Sequence, residues 1–187
     1  MRHFMQLIGM GTALLAAHAC GGGPTLPLAV VAARNAVATV RQLLAEGHPA
    51  DERDDGGLTP LMWAARHDAV EAMSALFDGG ADPNARDHRN GWTPLLHAIH
   101  RRHVDAVRVL LERGADPNQR NGLLTPLLMA APDPDATFVK LLLSYGADPT
   151  VRGSGGSTAL SEAVSGERCR ISIARCSAAA ARKPYGP

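Results

Sequence analysis

The sequence predicts an all-α solenoid of stacked helix-turn-helix units, and recurring signatures support this fold class. A Thr-Pro-Leu triplet recurs along the chain, and a Gly-Ala-Asp-Pro tetrapeptide follows each copy. The triplets begin at Thr59, Thr93 and Thr125, with a weaker Thr-Ala-Leu copy at Thr158, so the intervals are 34, 32 and 33 residues. The tetrapeptides begin at Gly80, Gly114 and Gly146. Two separated signatures that stay in register at this period indicate a structural repeat.

Each unit carries the signals for two short helices, most completely between residues 93 and 118. Thr93 suits the N-cap position, and Pro94 suits the first helical position, where a backbone N–H would have no partner. The polar run at 100–103 predicts the break before a second helix, and Gly114 predicts its end because glycine readily adopts a positive φ. The apolar residues of the second helix are spaced to share one face: Val104, Val107, Leu110 and Leu111.

The residues between the units predict how the units are joined and stacked. Residues 84–91 are polar and rich in turn formers, which favours a hairpin loop before the next Thr-Pro. Alanines recur in the first helix of each unit and allow neighbouring helix pairs to lie close together: Ala64, Ala65, Ala98, Ala130 and Ala131. No single unit can bury its apolar face alone, so stability must come from stacking against neighbours.

With Thr-Pro-Leu at one end and Gly-Ala-Asp at the other, the unit resembles the ankyrin repeat. The resemblance implies a solenoid of about three full units with degenerate terminal ones, and a non-catalytic role in protein binding. The chain departs from the family pattern at one repeated position, where histidine is usual. That position is occupied by Met62, Leu96, Leu128 and Ser161. We therefore expect the side-chain hydrogen bonds of that histidine to be absent.

Length and composition are those of one domain, since the chain has 187 residues, of which 45% are hydrophobic and 20% charged. The formal net charge of +1 argues against a general nucleic-acid binder. We expect the repeat domain to span 26–166, with units at about 26–52, 58–86, 92–120 and 124–152 and a partial unit at 157–176. Residues 177–187 are small, basic and rich in proline, and are expected to form a disordered tail.

The first residues resemble a bacterial secretory signal. A basic start is followed by a mostly apolar run from Phe4 to Ala17, which is too short to span a bilayer as a helix. We expect residues 1–19 to be a signal peptide and 20–25 a glycine-rich tether, so the protein would be exported. Two processing routes remain open: cleavage after Ala19 to a soluble periplasmic form, or lipidation of Cys20, which would anchor the protein to the outer membrane.

The sequence contains few residues in arrangements that suit metal binding, disulfide formation or catalysis. His97, His100 and His103 are spaced by three residues, so two of their rings could bind one metal ion. No Cys, Asp or Glu lies at ligand spacing, however, so we predict no metal and no cofactor. Cys169 and Cys176 could form a disulfide only if that segment is not helical. The sequence has no Gly-x-Ser-x-Gly nucleophile motif and no phosphate-binding loop, so we predict that the protein is not an enzyme.

The resemblance implies that residues after the paired alanines face the concave surface and that the hairpin tips extend it. On this basis the predicted partner-binding residues are Arg34, Arg66, His67, His100, Arg101, Asp87, His88 and Arg89. Arginine and histidine side chains suit an acidic partner, because guanidinium groups pair with carboxylates. The predicted partner is therefore a protein of unknown identity with an acidic surface, and membrane contact is expected only through a lipid on Cys20. Trp92 could anchor this partner or cover the hydrophobic seam between units.

Two other functions remain open from the sequence. One is an envelope metal-binding or redox accessory that would use His97 and His100, or Cys169 and Cys176. The other is a secreted effector that acts on a host. Both functions are compatible with the repeat fold, and they differ only in the ligand or partner that the exposed residues would contact.

Overall fold

A computed structural model describes residues 27–133, 135–153, 156, 158 and 159. Across these residues the protein is all-α, as predicted, with helices in consecutive pairs and no strand; the only β-bridges are isolated ones at Asn121–Leu124 and Arg152–Thr158. The helices are α1 Pro27–Ala33, α2 Val37–Ala45, α3 Pro60–Arg66, α4 Val70–Asp78, α5 Pro94–Arg101, α6 Val104–Glu112, α7 Pro126–Ala130 and α8 Thr137–Ser144. None of these helices is long and apolar enough to cross a membrane.

The Thr-Pro signature starts helices as predicted. The hydroxyl of Thr59 accepts the Met62 amide at 3.3 Å, and Thr93 and Thr125 accept the amides three residues later in the same way. In each case proline is in the first turn, where no N–H is needed. The hydrogen bond expected to be lost at the family's histidine position is partly replaced in α3, because the Met62 sulfur accepts the Thr59 amide at 3.4 Å.

The helix ends follow the sequence closely, with one difference. Gly114 follows α6 with φ +89°, and α7 ends at Ala130, before Pro132. The predicted break at 100–103 is shorter than expected, because α5 continues through His100 to Arg101. Arg102 alone reverses the chain, in a left-handed conformation with φ 64°. His100 and Arg101 therefore have the fixed positions of a last helical turn.

Stacking of the units buries a core that runs through all of them, with a smaller second cluster around Met62 and Trp63. The first helices form one row, since α3 packs against α1 and α5, and α5 packs against α7. The second helices form a parallel row, in which α4 packs against α2 and α6. Leu76, Leu110 and Leu142, one from each of α4, α6 and α8, are fully buried between the rows. Burial of each leucine contributes roughly 2 kcal/mol, so each unit depends on its neighbours.

Asparagine side chains tie each loop to the next. Asn84 donates to the Gly114 carbonyl at 3.2 Å and accepts the Asp116 amide at 2.8 Å. Asn118 repeats both contacts one unit later, at the Gly146 carbonyl and the Asp148 amide. In the first unit the equivalent residue is Asp51, which accepts the Asp82 amide at 3.0 Å but has no N–H to donate to the Gly80 carbonyl. Burial raises the pKa of Asp51, so its charge is poorly accommodated there.

We expect Asp51→Asn to stabilise the protein, because asparagine keeps the bond from Asp82 and gains a donor for the Gly80 carbonyl. One added hydrogen bond predicts a gain of about 1 kcal/mol in the free energy of unfolding, measured by urea titration. The reciprocal change Asn84→Asp should lose about the same amount, since it removes the bond to Gly114. Equal stability of all three proteins would show that the asparagine contacts contribute nothing.

Several sequence predictions concern residues outside those described. They are the signal peptide at 1–19, lipidation of Cys20, the tether at 20–25, the disulfide between Cys169 and Cys176, and the tail at 177–187. The partial unit at 157–176 is described only at 158 and 159.

Candidate partner-binding face

Trp63 forms a fixed aromatic platform at the C-terminal half of α3. Its indole N–H donates to a carboxylate oxygen of Asp54 at 2.8 Å, and the other oxygen of Asp54 accepts the amides of Gly56 and Leu58 at 2.9 Å. The ring is only 4% exposed. The hydrogen bond to Asp54 and the burial of the residue restrict rotation of the indole. Asp54 therefore holds Trp63 in place rather than projecting from the hairpin tip.

Two basic side chains lie on this platform, because residues three and four positions apart in a helix share one face. The Arg66 guanidinium lies over the indole at 4.6 Å from the ring centre, and the His67 ring stacks on it at 6.0 Å with an interplanar angle of 16°. A cation over an aromatic face gains about 0.5–1 kcal/mol at a partly exposed site. Arg66 is therefore better ordered than an arginine that extends freely into solvent.

The next unit repeats this arrangement with a histidine in place of the tryptophan. His97 Nε2 lies 2.9 Å from Asp87 Oδ2, and Asp87 Oδ1 accepts the amides of Asn90 and Gly91. Burial lowers the pKa of His97 to about 4, against the opposing effect of Asp87. The neutral ring donates its Nε2 hydrogen to the carboxylate, which can only accept. Burial alone would raise the pKa of Asp87, but the bonds from Asn90, His97 and Gly91 outweigh it and lower the pKa.

The position of Asp87 corrects one sequence prediction. Asp87 was expected at an exposed hairpin tip in contact with a partner, but only 5% of it is exposed. Its oxygens already accept three hydrogen bonds inside the protein, so removing it from His97 would leave two buried polar groups unsatisfied. Asp87 therefore positions the hairpin, and its carboxylate is not exposed at the tip as expected.

Trp92 connects the buried pair to the surface. Its ring packs against His97 with centroids 5.4 Å apart, and against exposed His100 with centroids 5.1 Å apart in an edge-to-face arrangement. Partly buried Trp92 thus covers His97 from solvent and orients His100. These contacts are compatible with both roles that the sequence left open for Trp92, as a partner anchor and as a cover for the seam.

The second hairpin lies directly on the first. The His88 ring covers Gly57, and Arg89 Nε lies 3.5 Å from where a Cβ on Gly56 would be. Both side chains are exposed on their outer side. This contact brings Arg89 to the platform side of the molecule, next to the hairpin that holds Trp63.

Arg101 reaches the same region from α5. His103 Nε2 lies 3.1 Å from the Arg66 carbonyl oxygen, so the end of α3 meets the turn that follows α5. Burial, and then the positive charges of Arg101 and Arg89, lower the pKa of Arg66. Burial, and then the charges of Arg66, Arg101 and His103, lower the pKa of His67. Arg66, His67, Arg89 and Arg101 therefore lie close enough to interact electrostatically. Together with His100, which shares the last turn of α5 with Arg101, they are called the basic face below.

The remaining predicted residues lie apart from the basic face. Arg34 is exposed just after α1, and no contact among the described residues links its side chain to the other arginines. Two further arginines of the hairpins bind backbone oxygens: Arg53 binds the Gly57 and Arg86 carbonyls, and Arg86 binds the Arg120 carbonyl at 2.7 Å. These two side chains hold neighbouring hairpins together.

The three histidines considered for a metal face different partners. His97 binds Asp87, His100 packs on Trp92 and His103 binds the Arg66 carbonyl. In the part of the chain that the structure describes, no group of three His, Cys, Asp or Glu residues is arranged to hold a metal ion. What the basic face offers instead is several charged donors on an ordered aromatic base, which suits recognition of an anionic group.

Comparison with known proteins identifies the repeat. A search of curated proteins finds no match to the chain. A family model described as Ankyrin repeats (3 copies) matches residues 28–121, half of the chain. This match begins within α1, extends past α6 and includes the basic face. Its extent, together with the helix pairs and the capped Thr-Pro starts, places this chain in the ankyrin repeat family.

Proposed function

We propose that the protein binds a partner protein through the basic face and carries out no catalysis. Ankyrin repeats generally mediate protein–protein interaction and are typically non-enzymatic. Membership of a fold family does not by itself establish function, so the proposal depends on the site.

The observation that carries the proposal is a set of arginines that form no ion pair among the described residues, although the buried carboxylates of Asp54 and Asp87 offset part of the charge of Arg66. Within the described residues, Arg66, Arg89 and Arg101 form no ion pair. Arg102 and Arg113, by contrast, pair with Asp133 and Asp78. Unpaired guanidinium groups that crowd one another leave a positive potential that an approaching acidic surface would neutralise. The chain as a whole has a net charge of only +1, so this potential is local to the basic face.

The aromatic base adds what a charged surface alone lacks. Residues that dominate binding energy are most often Trp, Tyr and Arg in preorganised positions. Arg66 is ordered by Trp63, and His100 is oriented by Trp92. A partner would therefore meet side chains that have already lost part of their conformational freedom, which lowers the entropic cost of binding.

Crosslinking in intact cells, followed by mass spectrometry, tests this function. We expect a specific protein to crosslink to the wild type and to be lost from a variant with Arg66, His67, His100 and Arg101 replaced by Gln. A matched variant changes Arg41, Arg108 and Lys140, which are exposed elsewhere, and should retain the crosslink. If the partner persists in the first variant, the basic face is not the binding surface.

We further propose that this binding occurs outside the cytoplasm. The proposal rests on the signal-like residues 1–19 and on Cys20 as an alternative lipid anchor. Fractionation of the same cells before crosslinking should place the protein in the envelope, without its first 19 residues. Mass spectrometry of the mature N-terminus would separate a free Cys20 start from a lipidated Cys20. An intact N-terminus in the cytosol would contradict export.

A further inference from the structure

The chemistry of the basic face narrows the kind of partner segment it accepts. Arg66, Arg89 and Arg101 come from three different elements: the end of α3, the hairpin before α5, and the end of α5. A guanidinium group presents a planar fork of N–H donors, and one carboxylate has two oxygens, which match a single fork. Three forks on one face therefore exceed what one Asp or Glu side chain can satisfy.

A phosphoryl group matches this set better. It carries about −1.5 to −2 charges at pH 7 and has three terminal oxygens, each able to accept from a different donor. Recognition of phosphorylated segments by clustered arginines is a recurrent mode in proteins. We propose that the partner segment held by the basic face presents a phosphorylated serine or threonine to Arg66, Arg89 and Arg101. This inference rests on the proposed function.

The surroundings of the three arginines favour a fixed, doubly charged ligand. Arg66 is partly buried and lies against the Trp63 ring, so its guanidinium has lost part of its hydration and gains more from a direct anion than an exposed arginine would. The two nearby carboxylates offset part of its charge, but their oxygens are bonded to other groups. Asp54 and Asp87 are 8% and 5% exposed, and each is committed to amides and to a ring N–H.

His67 and His100 flank the arginines and complete the donor set. Both lie on aromatic rings, and both can donate from a neutral imidazole. A phosphoryl group would therefore meet guanidinium forks at its oxygens and imidazole N–H groups at its edge.

Intrinsic fluorescence provides a direct test, since Trp63 and Trp92 are the only tryptophans of the chain and both lie at the basic face. The full-length protein is titrated with the peptide Gly-Gly-phosphoserine-Gly-Gly and with Gly-Glu-Glu-Gly-Gly, which carries a similar charge on two carboxylates. We expect saturable binding of the phosphopeptide, at least tenfold tighter than of the diglutamate peptide. Equal affinity for the two peptides would overturn the inference.

Two triple variants separate shape from charge. Replacing Arg66, Arg89 and Arg101 with Gln should weaken phosphopeptide binding by more than tenfold. Replacing them with Lys keeps the charge but removes the forks, so affinity should fall less while the preference over the diglutamate peptide disappears. Arg108→Gln, on the exposed face of α6, should change nothing. A lysine variant that keeps its preference would contradict recognition by guanidinium forks. Circular dichroism confirms that each variant is folded.

The result of the peptide-binding measurements can be interpreted separately from that of the crosslinking experiment. If a protein partner depends on the basic face but the phosphopeptide shows no preference, the proposed function stands and the phosphoryl inference fails. If no partner depends on the basic face, a preference for the phosphopeptide would assign the surface to phosphoryl groups while refuting the protein-binding role proposed above.

Discussion

Lowering the pH from 7 to 4 is expected to destabilise the protein through His97 by about 3 kcal/mol. The pKa of His97 is lowered from 6.5 to about 4 in the folded protein, chiefly by burial. Between these values the unfolded chain binds a proton that the folded protein does not, so stability falls as pH falls. Each unit of pKa difference corresponds to 1.36 kcal/mol, which gives the stated loss. The loss begins near pH 6.5 and is complete near pH 4.

The measurement is urea unfolding followed by circular dichroism at several pH values, compared with His97→Gln. Glutamine can still donate to Asp87 but does not titrate, so the difference between the two proteins isolates His97. His100→Gln serves as the control, because His100 is exposed. Asp87 titrates in a separate window: its pKa is lowered, so its contribution is lost only as pH falls below 3.8. A wild type that gains stability relative to His97→Gln on acidification would refute this, because it would mean that His97 is charged in the folded state.

Loss of His97 packing would also disturb the basic face. A protonated His97 ring would need more water around it than its buried site admits, and Trp92 covers the ring directly. Since Trp92 also orients His100, the buried pair and the surface are connected through one ring. Acidification is therefore expected to affect binding through the basic face as well as the stability of the protein.

The repeat and its helix starts were readable from the sequence because they depend on local chemistry. A threonine hydroxyl is a preferred N-cap because it can accept the free amide three residues later, and all three Thr-Pro starts are confirmed. The end of α5 was less certain from sequence, since a polar run is compatible with both a turn and an exposed last helical turn. Only the left-handed conformation at Arg102 decides between them.

The candidate site was predictable only in part. The sequence indicated arginine and histidine positions, but not that Asp54 and Asp87 are buried. An acidic residue in a polar hairpin is expected to be exposed when only its sequence neighbours are considered. The partners of Asp54 and Asp87 lie nine and ten residues further on, at Trp63 and His97. A signal was present: in both units an acidic residue precedes a ring N–H at nearly the same spacing. Recognising it requires the hairpin to fold back on the helix, which is tertiary information.

Gly57→Ala is expected to lower the free energy of unfolding by about 3 kcal/mol, through backbone strain and overpacking of roughly 1–2 kcal/mol each. Gly57 has φ +75°, a conformation that costs an alanine energy. A Cβ there would also lie 2.5 Å from Cβ and 2.7 Å from Nδ1 of His88. The Cβ of His88 cannot move away without shifting its hairpin, which carries Arg89. The variant should therefore lose stability and also weaken any binding through the basic face.

Gly47→Ala separates the two costs, because Gly47 has φ +93° but no atom within 4 Å of the place where a Cβ would lie. It should lose only the strain component, about 1–2 kcal/mol. Adding His88→Ala to Gly57→Ala should then recover only the part of the excess loss that is due to the ring, because the Cβ of residue 88 remains and contacting residues couple in a double-mutant cycle. If Gly57→Ala is no worse than Gly47→Ala, the hairpins do not pack through His88. In that case Arg89 is not held at the platform, and the three-arginine arrangement loses one of its members.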